Sequence, residues 1–490
     1  MAENTPLTLA HARHLLRRTG FGATTAEAQA LLDNAATRGA AADSLIAFSP
    51  AKFKPGGRYI EDVHNKWVKY MTKTRLQLQE KLVLFWHDHF ATSYGKVGDV
   101  DLMKLQNRLF RLNCIGDFKA FVKAVNRDAA MIEFLDTVRN RKNEPNENYA
   151  RELQELFTLG VTDLLGNTNY DQEDIVQIAR AFTGWDYDNK GAAEFLDYRH
   201  DYEADYLAER GPKRIFKVRG GFGDPAGQDF TVNGEGEPEI DTVVDIIFQH
   251  RYGPGLRSTV ADYIAKKLVT YFAHPDPSLS FIEDVVDASG FASNWNIGQL
   301  LKQIFVHDDF YLSAPAPAAG VPKSVKWPVD FTVSALRLLR MKLKGKYQET
   351  QGGSYASVRD HLTNMGQILL EPPSVFGWDW EEAWVSSSTM LARYGFARDL
   401  IASRGSGATT FRPDKVMDLG LTDAGDIVTA AATVLGIEDQ LSGADVTALI
   451  NYLTDNSPAS PVNLFDDDVR NTKLHGLFGL LLQSPAFQLQ

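Results

Sequence analysis

The chain has 490 residues, 44% of them hydrophobic and 23% charged. That balance suits a globular protein of two or three domains, with core enough that neither a disulfide nor a metal is needed to hold the fold. Its 51 Lys+Arg against 63 Asp+Glu leave a net charge of −12, which excludes nucleic acid and anionic membrane surfaces as default partners, since both are recognised through basic surfaces.

Cys114 is the only cysteine, so intramolecular disulfides and thiolate-clustered zinc are out, and it reads as a small buried apolar residue. No run of about 18 apolar residues occurs, so no membrane span is expected. Met1 to Ala10 lacks a basic region followed by an apolar one, so no signal peptide is expected in the sequence as written. Arg17-Arg18 lies inside a helical pattern, not before an apolar stretch.

In chain order, Thr8 caps a predicted helix through Arg18, with Leu9, Ala12, Leu15 and Leu16 on one face and Gly20 as the stop. Thr24-Thr25-Ala26-Glu27 is a capping box for a second helix. Tyr59 to His89 carries apolar residues at steps of three and four, giving one long helix or two in tandem. Asp101 to Leu112 and Phe118 to Phe134 read as further helices. Asn146 to Leu159 is predicted helical and ended by Gly160. Asp171 caps the next helix, Gln172 to Phe182, with Gly184 as terminator.

From Trp185 to Pro238 glycine, aspartate and tyrosine dominate and the 3.6-residue period disappears. Phe195 to Tyr198 and Arg214 to Val218 read as short strands, and Gly220-Gly221-Phe222-Gly223 as loop. A long irregular insertion of this kind is often functional. Helical texture resumes over Ile240 to Phe272 and continues through Phe310. Ala314 to Ala318 is a stiff connection, Trp327 to Leu343 a helix with Pro328 in its first turn, and Lys344 to Tyr355 a polar loop. Pro372 to Trp380 forms a rigid aromatic turn, and Ser387 to Ala402 and Thr472 to Leu482 are closing helices. The expected fold is mostly α: a large multi-helix body with a β-like insertion at about 186–238. It divides into an N-terminal helical part, 1–185, that insertion, and a C-terminal helical part, 239–490, within one compact unit.

Several stretches carry a family resemblance: Ala12 to Gly22, Phe85-Trp86-His87-Asp88-His89-Phe90, Asn148 to Gly160, Ala179 to Trp185, His200-Asp201, and Pro372 to Trp378. With them the chain resembles, over nearly its whole length, a bacterial family known only as a domain of unknown function, number eighteen hundred. The resemblance implies an exported protein with a sulfatase-like protein partner. The sequence departs from the family by lacking an export signal. It also has Tyr202-Glu203-Ala204 where the family tends to place Gly and then Lys after the His-Asp pair.

Three constellations carry chemistry. His87 and His89 stand two apart, about 200° around a regular helix, so they share a metal only where the helix ends or bends. Ala91-Thr92-Ser93-Tyr94-Gly95 offers such an end, and His200 and Asp201 would complete the site. The competing reading makes His87 a cap and His89 a satisfied core or surface residue. Asn148, Glu152 and Glu155, at steps of four and three, share a helix face opposite Tyr149, Leu153, Leu156 and Phe157. Two glutamates on one face act as acid and base when their environments split their pKa values. Alternatively that face is solvated and tied by Glu147–Arg151 and Arg151–Glu155 pairs. Trp378, Trp380 and Trp384 form either a stacking platform for a sugar ring or a wedge in the helical core. Ser386-Ser387-Ser388 reads as an N-cap region, and neither a Gly-x-Ser-x-Gly elbow nor a phosphate-cradling Gly-x-x-x-x-Gly-Lys loop occurs.

The leading expectation is a hydrolase in which a divalent metal, held by His87, His89, His200 and Asp201, activates water. Glu152 would be the general base with Glu155 beside it, and Arg151 would hold an anionic group or orient Glu152. Asn148, Trp378 and Trp380 would bind the small-molecule or carbohydrate substrate. The first alternative is a metal-free carbohydrate-active enzyme using Glu152 with Glu155 or Asp201, and the tryptophans as platform. The second is a non-catalytic binding or assembly protein whose odd stretches lock helices together.

Overall fold

The computed structural model describes residues 2–202, 212–216, 230–232, 234–313, 323–341, 357–402 and 411–490. Among them helices dominate, and strands pair only as short two-stranded antiparallel ribbons. Buried apolar side chains from Leu7 to Phe487 form one contiguous cluster.

The Leu9–Thr19 helix starts where the Thr8 side chain accepts from the His11 N–H. Its Arg18 is buried and is answered by main-chain carbonyls. Nε donates to Phe272 (2.7 Å), Nη2 to Tyr271 (2.8 Å) and Nη1 to Gln490 (3.3 Å). A guanidinium at the carbonyl end of the Thr259–Phe272 helix satisfies orphan acceptors and favours that end of the helix dipole. The first helix is thereby fastened to a distant helix and to the last residue. The Thr24 capping box forms with Glu27, and the Asp171 box with Asp174.

Tyr59 to His89 resolves into two helices, Ile60–Met71 and Gln77–His89. The second is buried from Leu78 through His89, so it is the central rod of the body. Its buried charges then need partners. Glu80 accepts two bonds from Arg111 (2.8 Å each) and one from the Trp67 indole (2.7 Å), and Lys81 pairs with Asp330 at 2.7 Å. Phe118 to Phe134 is also two helices, Phe118–Val125 and Ala129–Phe134, because Asp128 caps the second by accepting from the Met131 N–H.

The Asn148–Glu155 helix is shorter than its sequence pattern. It unwinds as the Phe157 N–H reaches back to Glu152 and the Leu159 and Gly160 N–H groups to Gln154, with Gly160 at φ +75°. Within the insertion, Trp185–Tyr187 pairs with Ala193–Phe195 and Lys213–Ile215 with Phe230–Val232. The strand expected over 195–198 ends at Phe195, where a 3-10 turn, Asp197–Arg199, takes over. Ile240 to Phe272 is broken by a hairpin, Arg251–Tyr252 against Arg257–Ser258, around Gly253-Pro254-Gly255. The helix expected over 327–343 is Pro328–Leu338. The readings of residues 217–218, 220–223, 314–318 and 344–355 lie outside the described residues.

Candidate functional site

The central rod carries His87 and His89 into different surroundings. His87 is fully buried between the Phe110 and Trp378 rings (5.8 and 5.3 Å), and burial pushes its pKa down to about 3. His89 is buried among Phe85, Trp86, Phe90 and Phe118, and its Nε2 lies 3.1 Å from the Phe157 carbonyl. Burial holds it well below the usual histidine range. His200 and Asp201 belong to another buried network. His200 Nδ1 meets the Thr183 carbonyl at 2.8 Å and its Nε2 lies 3.4 Å from Glu239, which also pairs with Lys213 at 2.6 Å. Asp201 accepts from the Arg180 guanidinium at 3.0 and 3.3 Å. Among the described residues no group of three or more His, Cys, Asp or Glu side chains is arranged to hold a metal ion.

A cleft of about 480 Å³ lies between the unwound end of the Asn148–Glu155 helix, the Thr259–Phe272 helix and the 376–380 turn. That volume is ordinary for a small-molecule site. Glu155 and Trp380 both line it, so two of the residues singled out in sequence do converge. Tyr263, Lys266 and Lys267 come from the Thr259–Phe272 helix, and Phe376, 67% exposed, stands at the rim. Trp378 does not line it. It is buried against His87 and Trp327 and serves the core.

What holds Trp380 in place is Asp88, from the stretch between the two histidines. The buried Asp88 carboxylate accepts from the Trp378 main-chain N–H at 2.7 Å and from the Trp380 indole N–H at 3.1 Å. The Trp380 ring also packs edge-on against Tyr271 and Trp327, at 5.8 and 5.2 Å between centroids. Gly377, at φ +87°, lets the turn press onto Asp88, because a Cβ there would collide with the Asp88 carboxylate and carbonyl. Burial raises the Asp88 pKa to about 7, opposed by Lys267 and by the two N–H donors.

Glu155 accepts from the Tyr170 hydroxyl at 2.9 Å. Glu152 stands one turn earlier on the same helix, half-buried and not among the residues that line the cleft. Burial, then repulsion from Glu155, raises its pKa to about 7, and Arg151 opposes the shift. Arg151 itself pairs with Glu147 at 3.1 Å and donates to Gln172 at 3.2 Å. The expected Glu147–Arg151 pair is therefore present. Asn148 is exposed and donates to Asp136 at 3.3 Å, so it is occupied elsewhere.

Two residues that line the cleft, and the buried Asp88 that holds its aromatic turn, were not legible as such in sequence. Lys266 and Lys267 look like the solvated side of an amphipathic helix, and Asp88 was overshadowed by its flanking histidines. The signal for Asp88 is a lone carboxylate inside an apolar run, which a buried helix tolerates only when donors meet it.

The chain is thus a mostly helical protein whose aromatic turn and lysine-bearing helix frame a cleft, and no helix among the described residues is long and apolar enough to cross a membrane. The family model described as protein of unknown function (DUF1800) matches residues 14–489, and the chain belongs to that family, as its motifs implied. No curated protein and no solved structure matches it.

Proposed function

We propose that the chain is a carbohydrate-active hydrolase that works without a metal, with the cleft as its site. The observation that carries this reading is that Glu155, Lys267 and Trp380, from three distant segments, line the same cleft. A rigid indole beside a carboxylate suits a sugar ring, which offers an apolar face and hydroxyl groups.

Glu155, on the cleft wall, is the nucleophile, and Glu152, one turn behind it on the same helix, is the proton donor. Residues three apart on a helix have Cβ atoms roughly 5–6 Å apart, close enough for both carboxyl groups to reach one glycosidic bond, and the retaining scheme is the one proposed. Glu152 gives its proton to the glycosidic oxygen as that C–O bond breaks, and Glu155 bonds the anomeric carbon. Water then displaces Glu155 while Glu152 takes back a proton, so one water is consumed per bond cut. The metal-dependent version draws no support from the separate surroundings of these side chains: His89 faces the Phe157 carbonyl, His200 and Asp201 belong to the Thr183–Arg180–Glu239 network, and His87, whose ring nitrogens have no hydrogen-bond partner among the described residues, lies between Phe110 and Trp378.

The test is release of nitrophenolate from a panel of aryl glycosides. Glu155→Gln and Glu152→Gln are each expected to lose on the order of 10²–10⁴ in rate. Turnover that survives both substitutions removes the proposal. Sugar binding with no turnover on any glycoside leaves a non-catalytic binding protein.

A further inference from the structure

The acids around the cleft are answered locally, and the bases are not. Asp262 accepts from two Arg257 nitrogens at 2.8 Å and from the Tyr252 hydroxyl at 2.7 Å. Asp163 accepts from the Leu165 and Asn167 N–H groups and from the Asn167 amide, at 2.8–3.0 Å. Glu155 has the Tyr170 hydroxyl. Lys266 and Lys267 line the same cleft, and among the described residues neither makes a hydrogen bond or an ion pair within 4.0 Å.

Lys267 is the more telling of the two. It is half-buried, and the Tyr263 ring centroid lies 5.8 Å from its Nζ. Asp88 acts on it electrostatically but lies beyond ion-pair distance and is committed to Trp378 and Trp380. A partly desolvated ammonium with no ion-pair partner in contact is costly, and an anion arriving against it would relieve that cost. Lys266 is exposed and adds less, since solvent screens it. The two stand about 100° apart around their helix, so together they approach one substituent from two directions.

We infer that the cleft selects a sugar bearing an anionic substituent, carboxylate or sulfate, held by Lys267 with help from Lys266 while Trp380 stacks on the ring. This rests on the carbohydrate reading of the site and names its substrate class. A neutral sugar would leave both ammonium groups as they are and gain only the stacking.

Binding to the full chain is measured by calorimetry with three probes: digalacturonic acid, galactose 6-sulfate and neutral galactobiose. An acidic probe is expected to bind at least ~10-fold tighter than the neutral one, the scale of a charge-assisted hydrogen bond. The preference should weaken with salt. Lys267→Met should abolish it and Lys267→Arg should retain it, with circular dichroism confirming that both fold. Comparison of the two acidic probes identifies the substituent. Equal affinity for all three, a preference that survives Lys267→Met, or no binding of any probe overturns the inference. Acid-selective binding lost in Lys267→Met, in a protein that cleaves nothing, removes the hydrolase reading alone. Cleavage of neutral glycosides without acid selectivity removes the inference alone.

Discussion

Replacing Asp88 by Asn separates two effects that the structure sets against each other. The first is hydrogen bonding. The carboxylate accepts from the Trp378 N–H and the Trp380 indole N–H, one on each oxygen. An amide offers one acceptor oxygen, so one buried donor faces an NH₂ group, at a cost of about 1–3 kcal/mol. The second effect is charge. Burial lifts the Asp88 pKa from an ordinary 3.8 to about 7. The folded protein therefore holds a proton that the unfolded chain has released, and the associated stability is complete below pH 4 and lost as pH rises through 7. At about 1.36 kcal/mol per pH unit, less the part retained because the folded group is only half-titrated at pH 7, the wild type loses about 2 kcal/mol between pH 5 and 7 that Asp88→Asn, which cannot titrate, does not lose. The variant should thus unfold below the wild type at pH 5 and match or exceed it at pH 8. Urea denaturation of both proteins at the two pH values, followed by tryptophan fluorescence, measures the difference. An equal gap at pH 5 and pH 8 would refute the reasoning, because it would mean that the carboxylate is not penalised by its burial.

Glu152 must be protonated to act as an acid and has a pKa of about 7, so activity should fall as pH rises through 7. Glu152→Gln should lose that limb of the profile, and an unchanged profile would reassign the acid. Gly377→Ala places a side chain at φ +87° against Asp88. Left-handed strain and the clash should lower stability by about 2 kcal/mol or more and shift tryptophan emission, so a wild-type melting curve would contradict the close packing of turn on rod. Asp201→Ala takes the carboxylate from the buried Arg180, which should cost about 3–5 kcal/mol while sugar affinity stays the same. Zinc should move the melting points of wild type and Asp201→Ala equally, and a shift confined to the wild type would restore the metal reading.

Much of the helical body was legible because its signals are local. Thr8, Thr24 and Asp171 cap as they do wherever a short polar side chain precedes an apolar periodic run. The errors came where apolar spacing continued across a break. Residues 118–134 keep their pattern through Asp128, and only the cap geometry shows that a second helix starts there. The hairpin at 251–258 was announced by Gly253-Pro254-Gly255 but lies between two apolar helices, and their shared texture masked it. Of the site, Glu155 and Trp380 stood out by residue type. Lys267 did not, because a lysine on an amphipathic helix looks the same facing water as facing a cleft made by residues more than a hundred positions away. His87 and His89 stood out for the opposite reason. Imidazoles packed among aromatic rings have the composition of a ligand set, and only three-dimensional placement shows that they face different neighbours.

The Phe85 to Phe90 stretch still governs the cleft, at one remove. Its two imidazoles and its aromatics are core, and core packing fixes the end of the central rod in position and rotation. That rotation aims Asp88 at the 376–380 turn, and Asp88 sets the edge and angle of Trp380 through a bond to its indole. A change at His87 or Phe90 would therefore reach the ligand through the platform, without either side chain touching it. Core substitutions there should alter stacking affinity for neutral and acidic sugars alike and leave the charge preference intact. Lysine substitutions should do the reverse. The two halves of recognition are mechanically separate because the indole is held by the rod, whereas the ammonium groups ride on the Thr259–Phe272 helix, which Arg18 pins from the far side.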